Sequence, residues 1–194
     1  RTQFSYYRFF PVSSNSTLAL KGRLGAIYLF DPQNSYVPLE RQFFAGGANS
    51  IRGWAPRELR YTKFDAQEDS TSDQAYRFLQ QNVGNAGLVE LTAELRYSFQ
   101  RPRNWSKFWA DQWANLGLAA FLDAGNAFGW FVQNEYRRIN LGDLYHLAVS
   151  AGVGLRYKTP VGPVRIDFAW PLYVPPNTVV DPGIKIHFGL GNPF

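Results

Sequence analysis

Alternation of apolar and polar residues with a period of two recurs along this chain, and it restricts the fold to a sheet. Residues 88–99 place Val89, Leu91, Ala93, Leu95, Tyr97 and Phe99 on one face, and Glu90, Thr92, Glu94, Arg96 and Ser98 on the other. The pattern recurs in residues 144–158, 164–172, 184–194 and 17–30, more weakly in 114–128, and with ambiguous parity in roughly 2–10. Such alternation is typical of strands with one apolar and one polar face. We predict an all-β chain with about seven strands.

Three details favour a transmembrane antiparallel β-barrel over a soluble sandwich. The alternating segments are long, whereas strands of globular proteins average about five or six residues. The polar faces carry Glu, Arg, Lys, His and many Gly, which a water-lined lumen tolerates. Aromatic residues make up 17% of the chain, and several fall near strand ends, as in the interfacial girdles of membrane barrels. These are Tyr28, Phe30, Tyr97, Phe99, Tyr145 and Tyr157.

The connections between strands alternate in length. Those at about 31–86, 129–143 and 173–183 are long, and those at 11–16 and 159–163 are short. Outer-membrane barrels have short periplasmic turns and long external loops. The segment 100–114 is an exception, because it is long on the short side. Its Trp105, Phe108, Trp109 and Trp113 recur at helical spacing and predict a short amphipathic helix at the periplasmic membrane interface. An aromatic plug packed under the barrel is the alternative.

Composition and motifs narrow the function classes. The chain has no Cys, so disulfides and thiolate metal sites are excluded. The net charge is +5, but the basic residues are scattered, so we expect no nucleic-acid partner. His146 and His187 fall on predicted inner faces without metal-ligand spacing, and we expect them to form hydrogen bonds in the lumen. Neither a nucleophile elbow nor a phosphate loop is found, so we expect no cofactor and no enzymatic activity.

The alternating segments are too few to close a membrane barrel. Bacterial outer-membrane barrels have even strand numbers from about eight upward, and open sheet edges are not tolerated in lipid. The chain begins at Arg1 and contains no Met. We therefore expect it to be a piece of a longer protein, with the remaining strands supplied by a preceding segment or by another copy.

Three motifs carry a family resemblance. The loop segment GGANSIRGW (46–54) resembles the conserved loop motif of the BamA/TamA superfamily of outer-membrane insertases and translocators, whose core is Arg-Gly followed by an aromatic residue. FLDAGNAF (121–128) resembles the family's F-x-D-x-G strand motif, and VELTAELRYSF (89–99) resembles the strand before it, which carries an inward glutamate. The motifs come in the family's order. The loop motif and the segments 152–157 and 164–172 look closest to the TamA-like lipoprotein branch of Bacteroidetes-type bacteria.

The resemblance implies a fold for the whole chain. Residues 1–194 would form the C-terminal portion of a barrel of sixteen strands, with five strands after the loop. The long loop 31–86 would fold back into the lumen, and the periplasmic domains would lie outside this chain. The last strand would end on Phe194, like the family's outer-membrane assembly signal.

The resemblance also implies a site. Arg52 would meet acids on the inner wall, and strand parity turns Glu94 and Asp123 inward. Gly46, Gly47 and Gly53 would allow tight turns beside Ile51 and Trp54, and Gly125 would leave room for the loop. The alternative is that Arg52 is a solvated loop arginine and that the two acids are ordinary lumen charges. We expect Arg57 and Arg60 to be solvated.

The function that the resemblance implies is assembly or insertion of β-barrel proteins in the bacterial outer membrane. The partners would be the lipid bilayer, unfolded β-barrel clients and accessory envelope proteins. The last strand, with Phe188, Leu190 and Phe194, would form one side of a lateral seam that admits client strands. The alternatives are a polypeptide-secretion pore of the same superfamily, a membrane anchor for an N-terminal domain, and a soluble ligand-binding barrel.

Overall fold

One antiparallel sheet dominates the structure. The computed structural model describes residues 1–30, 37–59, 84–132, 135–137, 141–176, 178 and 183–193. In these residues the strands are β1 (Thr2–Ser13), β2 (Ser16–Ala26), β3 (Gly87–Ser98), β4 (Leu116–Phe128), β5 (Trp130–Val132), β6 (Glu135–Arg137), β7 (Ala148–Tyr157), β8 (Val164–Tyr173) and β9 (Lys185–Leu190). Seven of them pair in the order β1-β2-β3-β4-β7-β8-β9, and β5 pairs with β6 in a separate hairpin. The predicted all-β fold with about seven strands is confirmed, and six of the seven have 10 or more residues; the β5–β6 hairpin was not predicted.

The helices are short. The α-helix α1 spans Lys107–Asn115, and 3-10 helices span Leu39–Arg41 and Leu141–His146. The helix predicted within residues 100–114 is therefore present, although Trp105 precedes it. Among the residues that the structure describes, none of the helices has the length and apolar character needed to cross a bilayer.

The apolar side chains of the sheet point outward, and the polar ones are covered. On β3, Leu91 and Leu95 are 49% and 45% exposed, whereas Glu90 and Glu94 are fully buried. On β4, Leu118 and Leu122 are likewise exposed, whereas Asp123 is buried. The parity predicted for these strands is confirmed. Since a water-soluble sheet buries its apolar face, this inverted arrangement is that of a membrane barrel wall.

Three strand boundaries differ from the prediction. The strand predicted at 144–158 begins at Ala148, because pairing with β4 ends at Gly125 opposite Ala148. Beyond that pair, the Asn126 side chain donates to the His146 carbonyl oxygen at 2.9 Å. This side-chain hydrogen bond takes the place of backbone pairing between the two strands. Tyr145 and His146 thus lie in a 3-10 helix, and their prediction as strand residues was wrong.

The other two strands are shorter than predicted. The strand predicted at 17–30 ends at Ala26, where its partner β3 begins at Gly87, so Tyr28 and Phe30 lie beyond the sheet. The last strand stops at Leu190, before Gly191 with φ +80°. Phe194 lies outside the described residues.

The connections separate into two ends of the sheet. The β1–β2 turn, the 99–115 connection and the β7–β8 turn share one end. There the Asn15 side-chain nitrogen donates to the Ser98 carbonyl oxygen at 3.0 Å, and the Lys158 nitrogen donates to the Asn115 carbonyl oxygen at 2.8 Å. The long connection between β2 and β3 leaves from the other end. The edges of the sheet are β1, whose residues are all exposed, and β9.

Candidate functional site

The loop motif forms a tight turn that lies on the polar face of the sheet. Gly46 and Gly47 have φ values of +98° and +100°, which favour glycine. The Gly47 nitrogen donates to the Trp54 carbonyl oxygen at 3.0 Å and so closes the turn. A side chain at Gly46 would also collide with the Ala55 carbonyl oxygen. Both glycines are thus needed where the sequence placed the turn.

Arg52, at the tip of this turn, is held by two carboxylates on neighbouring strands. Its Nε and Nη2 donate to Oδ2 and Oδ1 of Asp123 at 2.8 and 2.9 Å, and its Nη1 donates to Oε2 of Glu94 at 2.7 Å. Arg52 is 1% exposed and both acids are fully buried. Burial alone would lower the pKa of the Arg52 guanidinium, but its hydrogen bonds and attraction to Asp123 and Glu94 raise the pKa above its ordinary value. The structure thus brings together the three residues that the family resemblance paired.

A third carboxylate, Asp167 on β8, extends the network, and the sequence did not single it out. Its Oδ2 lies 3.7 Å from Arg52 Nη1. Asp167 also accepts from Arg156 Nη1 at 2.5 Å and from Arg165 Nη1 at 2.8 Å. Glu94 in turn meets Arg156 Nη2 at 3.4 Å and Arg96 Nε at 2.9 Å. The buried charges are thus paired and hydrogen-bonded across β3, β4, β7 and β8, as buried ions must be.

Phe121, the aromatic residue of the F-x-D-x-G motif, completes the cradle for the guanidinium. Arg52 Cζ lies 3.3 Å from the centroid of its ring, which places the cation over the negative face of the π-system. Gly152 on β7 makes room for this ring, since a side chain there would overlap Phe121. The motif therefore supplies both an anion and an aromatic surface to the same arginine.

The backbone of the motif is bound as well as its side chain. The Gly53 nitrogen donates to Ser150 Oγ on β7 at 3.1 Å, and the Arg52 carbonyl oxygen lies 2.7 Å from His187 Nε2 on β9. Because a carbonyl oxygen can only accept, that histidine nitrogen donates. A Cβ on Gly53 would lie 2.5 Å from Ser150 Cβ, so Gly53 permits this close approach. The predicted inward hydrogen-bonding role of His187 is confirmed.

Ile51 and Trp54 fix the turn by burial. Both are fully buried in a cluster that includes Phe43, Leu59 and Leu88. A Cβ on Gly125 would collide with the Val89 carbonyl oxygen and would lie 2.9 Å from Ile51 Cδ1. The absence of a side chain at Gly125 thus gives the space that the sequence predicted. Loop and wall are in van der Waals contact there.

A second group of contacts holds the residues before the motif. Lys21 Nζ on β2 donates to the Asn49 carbonyl oxygen at 2.9 Å, and Ser50 Oγ bonds to Glu90 on β3. Arg23 Nη1 in turn pairs with Glu90 Oε2 at 2.8 Å. None of these residues was given a role from sequence, although their alternation had already turned Lys21, Arg23 and Glu90 to the polar face.

The remaining candidates lie apart from Arg52. The Arg57 guanidinium lies 4.7 Å from the Phe44 ring centroid, and Arg60 lies outside the described residues. Phe188 and Leu190 on β9 are 73% and 75% exposed on the apolar face. In the part of the chain that the structure describes, no cluster of three or more His, Asp or Glu side chains is arranged to hold a metal ion.

Comparison with known proteins places this chain in a family. The Omp85 superfamily domain matches residues 1–194. The outer membrane protein assembly factor BamA of Neisseria meningitidis serogroup B is 25% identical over an alignment of 202 residues, and this alignment covers 96% of this chain. The chain spans 23% of the length of that curated relative. Because the domain match extends over every residue and the sheet carries the inverted polarity of a membrane wall, the chain belongs to the Omp85 superfamily and forms part of a β-barrel of the bacterial outer membrane.

Proposed function

We propose that this chain is the barrel portion of a factor that inserts β-barrel proteins into the outer membrane, and that it acts without enzymatic chemistry. The name of the Neisseria relative, an assembly factor, supports this proposal. Its partners would be the lipid bilayer, unfolded β-barrel clients and accessory envelope proteins. The long loop 31–86 would enter the lumen and dock Ile51, Arg52, Gly53 and Trp54 against acids of the inner wall.

The observation that carries the proposal is the hydrogen bond between the Arg52 carbonyl oxygen and His187. Through it, one arginine touches both the acids of β3 and β4 and the edge strand β9. A shift of the loop would therefore be transmitted to the edge strand of the sheet. For insertion this coupling matters, because the edge must present its free backbone groups to an incoming strand in a fixed position.

Strand β9 has the properties of a seam that opens at low cost. It contains 6 residues, whereas its partner β8 contains 10. Within it, Gly189 lies between Phe188 and Leu190, and glycine in a strand weakens pairing. Phe188 and Leu190 project from the apolar face, where they would meet lipid or the apolar side chains of a client strand.

Site-specific crosslinking of a client tests this seam. The chain contains no Cys, so Ile186→Cys on β9 and Leu122→Cys on β4 each introduce one thiol into it. The two side chains are matched, since both lie on the apolar face and are 53% and 48% exposed. In the full-length protein, a stalled β-barrel client with a cysteine in its last strand should crosslink to position 186 and not to position 122.

The same experiment separates the alternatives. Thr17 on β2 pairs with Arg96 and so lies on the polar face of the sheet. Crosslinks to Thr17→Cys with none at position 186 would therefore favour a polypeptide-secretion pore. Equal crosslinking at 122 and 186 would mean that clients contact the wall without using the edge. A lack of client crosslinks at all three positions would contradict insertion and favour an anchor barrel.

A further inference from the structure

A recess beside α1 combines positive charge with exposed aromatic surface. Its volume is about 370 Å³, and it is lined by Arg101, Pro102, Arg103, Trp105, Lys107 and Ala110. The connection 99–115 holds three basic residues and one acidic residue, a net charge of +2. That acid, Asp111, lies 3.0 Å from Arg101 Nη2. Since a guanidinium has five N–H donors, this contact leaves Arg101 able to bind a further anion.

The aromatic side chains around the recess are largely exposed. Trp105, Phe108 and Trp109 are 52%, 63% and 63% exposed. The helix is attached by its other side, where Trp113 packs on Phe99 with ring centroids 4.6 Å apart and Tyr157 bonds to Gln112. A plug packed under the barrel would bury Trp105, Phe108 and Trp109, so their exposure favours the membrane-interface helix that the sequence predicts over the plug.

The position of the recess fixes which leaflet it meets. It lies at the end of the sheet that carries the β1–β2 and β7–β8 turns, while the long β2–β3 connection leaves from the opposite end. In outer-membrane barrels the short turns are periplasmic. Tryptophan at this depth sits at the level of the lipid headgroups, with its ring toward the acyl chains. The periplasmic leaflet consists of phospholipids, so the ligand available to the recess is a phospholipid headgroup.

We propose that this recess binds the headgroup of an anionic phospholipid of the periplasmic leaflet. Arg101, Arg103 and Lys107 contact the phosphate and the headgroup charge, and Trp105 and Trp109 lie along the upper acyl chains. Arginine forms bidentate, charge-assisted hydrogen bonds with phosphate, and basic residues near a membrane surface favour anionic over zwitterionic lipid. The site would bind a particular class of lipid to the barrel beside α1.

Quenching of tryptophan fluorescence by brominated lipid measures this preference. The full-length protein in neutral detergent is titrated with brominated-chain phosphatidylglycerol, and with brominated phosphatidylcholine as the zwitterionic comparison. Removing one basic residue should weaken the phosphatidylglycerol preference about fivefold. The combined variant Arg101→Gln, Arg103→Gln, Lys107→Gln should abolish it. Lys158→Gln is the matched control, because Lys158 is exposed at the same end of the sheet but does not line the recess.

Two further readouts assign the effect to this recess. Trp105→Phe with Trp109→Phe should remove most of the quenching that is specific to phosphatidylglycerol, while heat-modifiable migration shows that the barrel is still folded. Addition of inorganic phosphate at equal concentration should not displace the lipid.

The proposal is overturned by any of three results. The first is equal quenching by the two lipids, which would mean an aromatic belt without headgroup selectivity. The second is a preference that survives in the triple variant. The third is displacement of the lipid by inorganic phosphate alone, which would assign the basic residues to a small anion.

Discussion

Arg52 and Asp123 are joined by three hydrogen bonds, two from the guanidinium and one from the Arg52 backbone nitrogen. The distances are 2.8 Å for Nε, 2.9 Å for Nη2 and 3.1 Å for the backbone nitrogen. The planar fork of arginine matches a carboxylate in two points, whereas lysine offers a single charged group. Because main chain and side chain bind the same carboxylate, the orientation of the turn is fixed together with the position of its charge.

Removal of the arginine should destabilise the barrel. Arg52→Ala leaves Asp123 buried with no other ion pair in the described residues and takes one cation from Glu94 and Asp167. Breaking one side of a buried pair costs about 3–5 kcal/mol. We expect a loss of about 3 kcal/mol in the free energy of unfolding, at the lower bound because Arg156 remains beside Glu94 and Asp167. The midpoint of urea unfolding of the full-length protein in detergent measures it.

Arg57→Ala is the control for that substitution. Arg57 lies in the same loop, but its guanidinium contacts the Phe44 ring instead of the acids. We expect a change of about 0.5 kcal/mol or less. Equal stability of the Arg52→Ala variant and the unsubstituted protein would show that the loop does not contribute to the stability of the wall.

A double-mutant cycle should show that Arg52 and Asp123 act as one unit. If the pair is broken from either side, the second substitution removes an unpaired buried charge and costs little more. We expect Arg52→Ala with Asp123→Ala to be less destabilising than the sum of the single variants, with an interaction energy of about 2 kcal/mol. Additive effects in urea unfolding would contradict the direct coupling that the distances indicate.

Gly125→Ala should force the loop from the wall. The added methyl group would collide with the Val89 carbonyl oxygen and would approach Ile51 Cδ1, and overpacking of this kind costs about 1–3 kcal/mol. The exchange of backbone amides in residues 46–54, followed by mass spectrometry, should become faster.

Gly22→Ala is matched to that variant. Gly22 also lies within a strand of the sheet, but a Cβ there meets only Leu91 Cδ2, at an ordinary 3.7 Å. We expect it to be neutral or slightly stabilising. If the backbone amides of residues 46–54 exchange at the same rate in both variants, contact at Gly125 does not hold the loop.

His187→Ala should loosen the connection between the loop and β9. One hydrogen bond contributes about 1 kcal/mol, so backbone amides of β9 should exchange about fivefold faster. Amides of β4 should be unaffected, because their ladders with β3 and β7 do not involve His187. Faster exchange in β4 as well would mean that the whole sheet, and not this one connection, had been weakened.

Local alternation was enough to predict the strands and the two inward carboxylates, and the family resemblance was needed to pair these with Arg52. Once Leu91 and Leu122 are assigned to the apolar face, parity alone turns Glu94 and Asp123 inward. The family resemblance then placed Arg52 near them. The sequence could not predict Asp167, because its approach to Arg52 and Arg156 depends on the register of β8 against β7. That register pairs Asp167 with Gly154, and the alternation is the same in every register that differs by two residues.

Strand ends were the weaker part of the prediction for a related reason. Tyr145, His146 and Leu147 continue the alternation of β7, yet the strand begins at Ala148. Where a ladder stops depends on the partner strand and on side chains such as Asn126, which lie far away in sequence. Alternation describes which face a residue would take and contains no information about the length of its partner.

Five consecutive strands meet at a single dipeptide of the loop, and this limits how they can slide. Arg52 and Gly53 contact Glu94, Asp123, Ser150, Asp167 and His187, which lie on β3, β4, β7, β8 and β9. A slip of one strand by two residues would carry its side chain about 6.6 Å along the strand axis, beyond the reach of any hydrogen bond. Since stagger and diameter are linked in a barrel, the docked dipeptide sets the local shear of the wall.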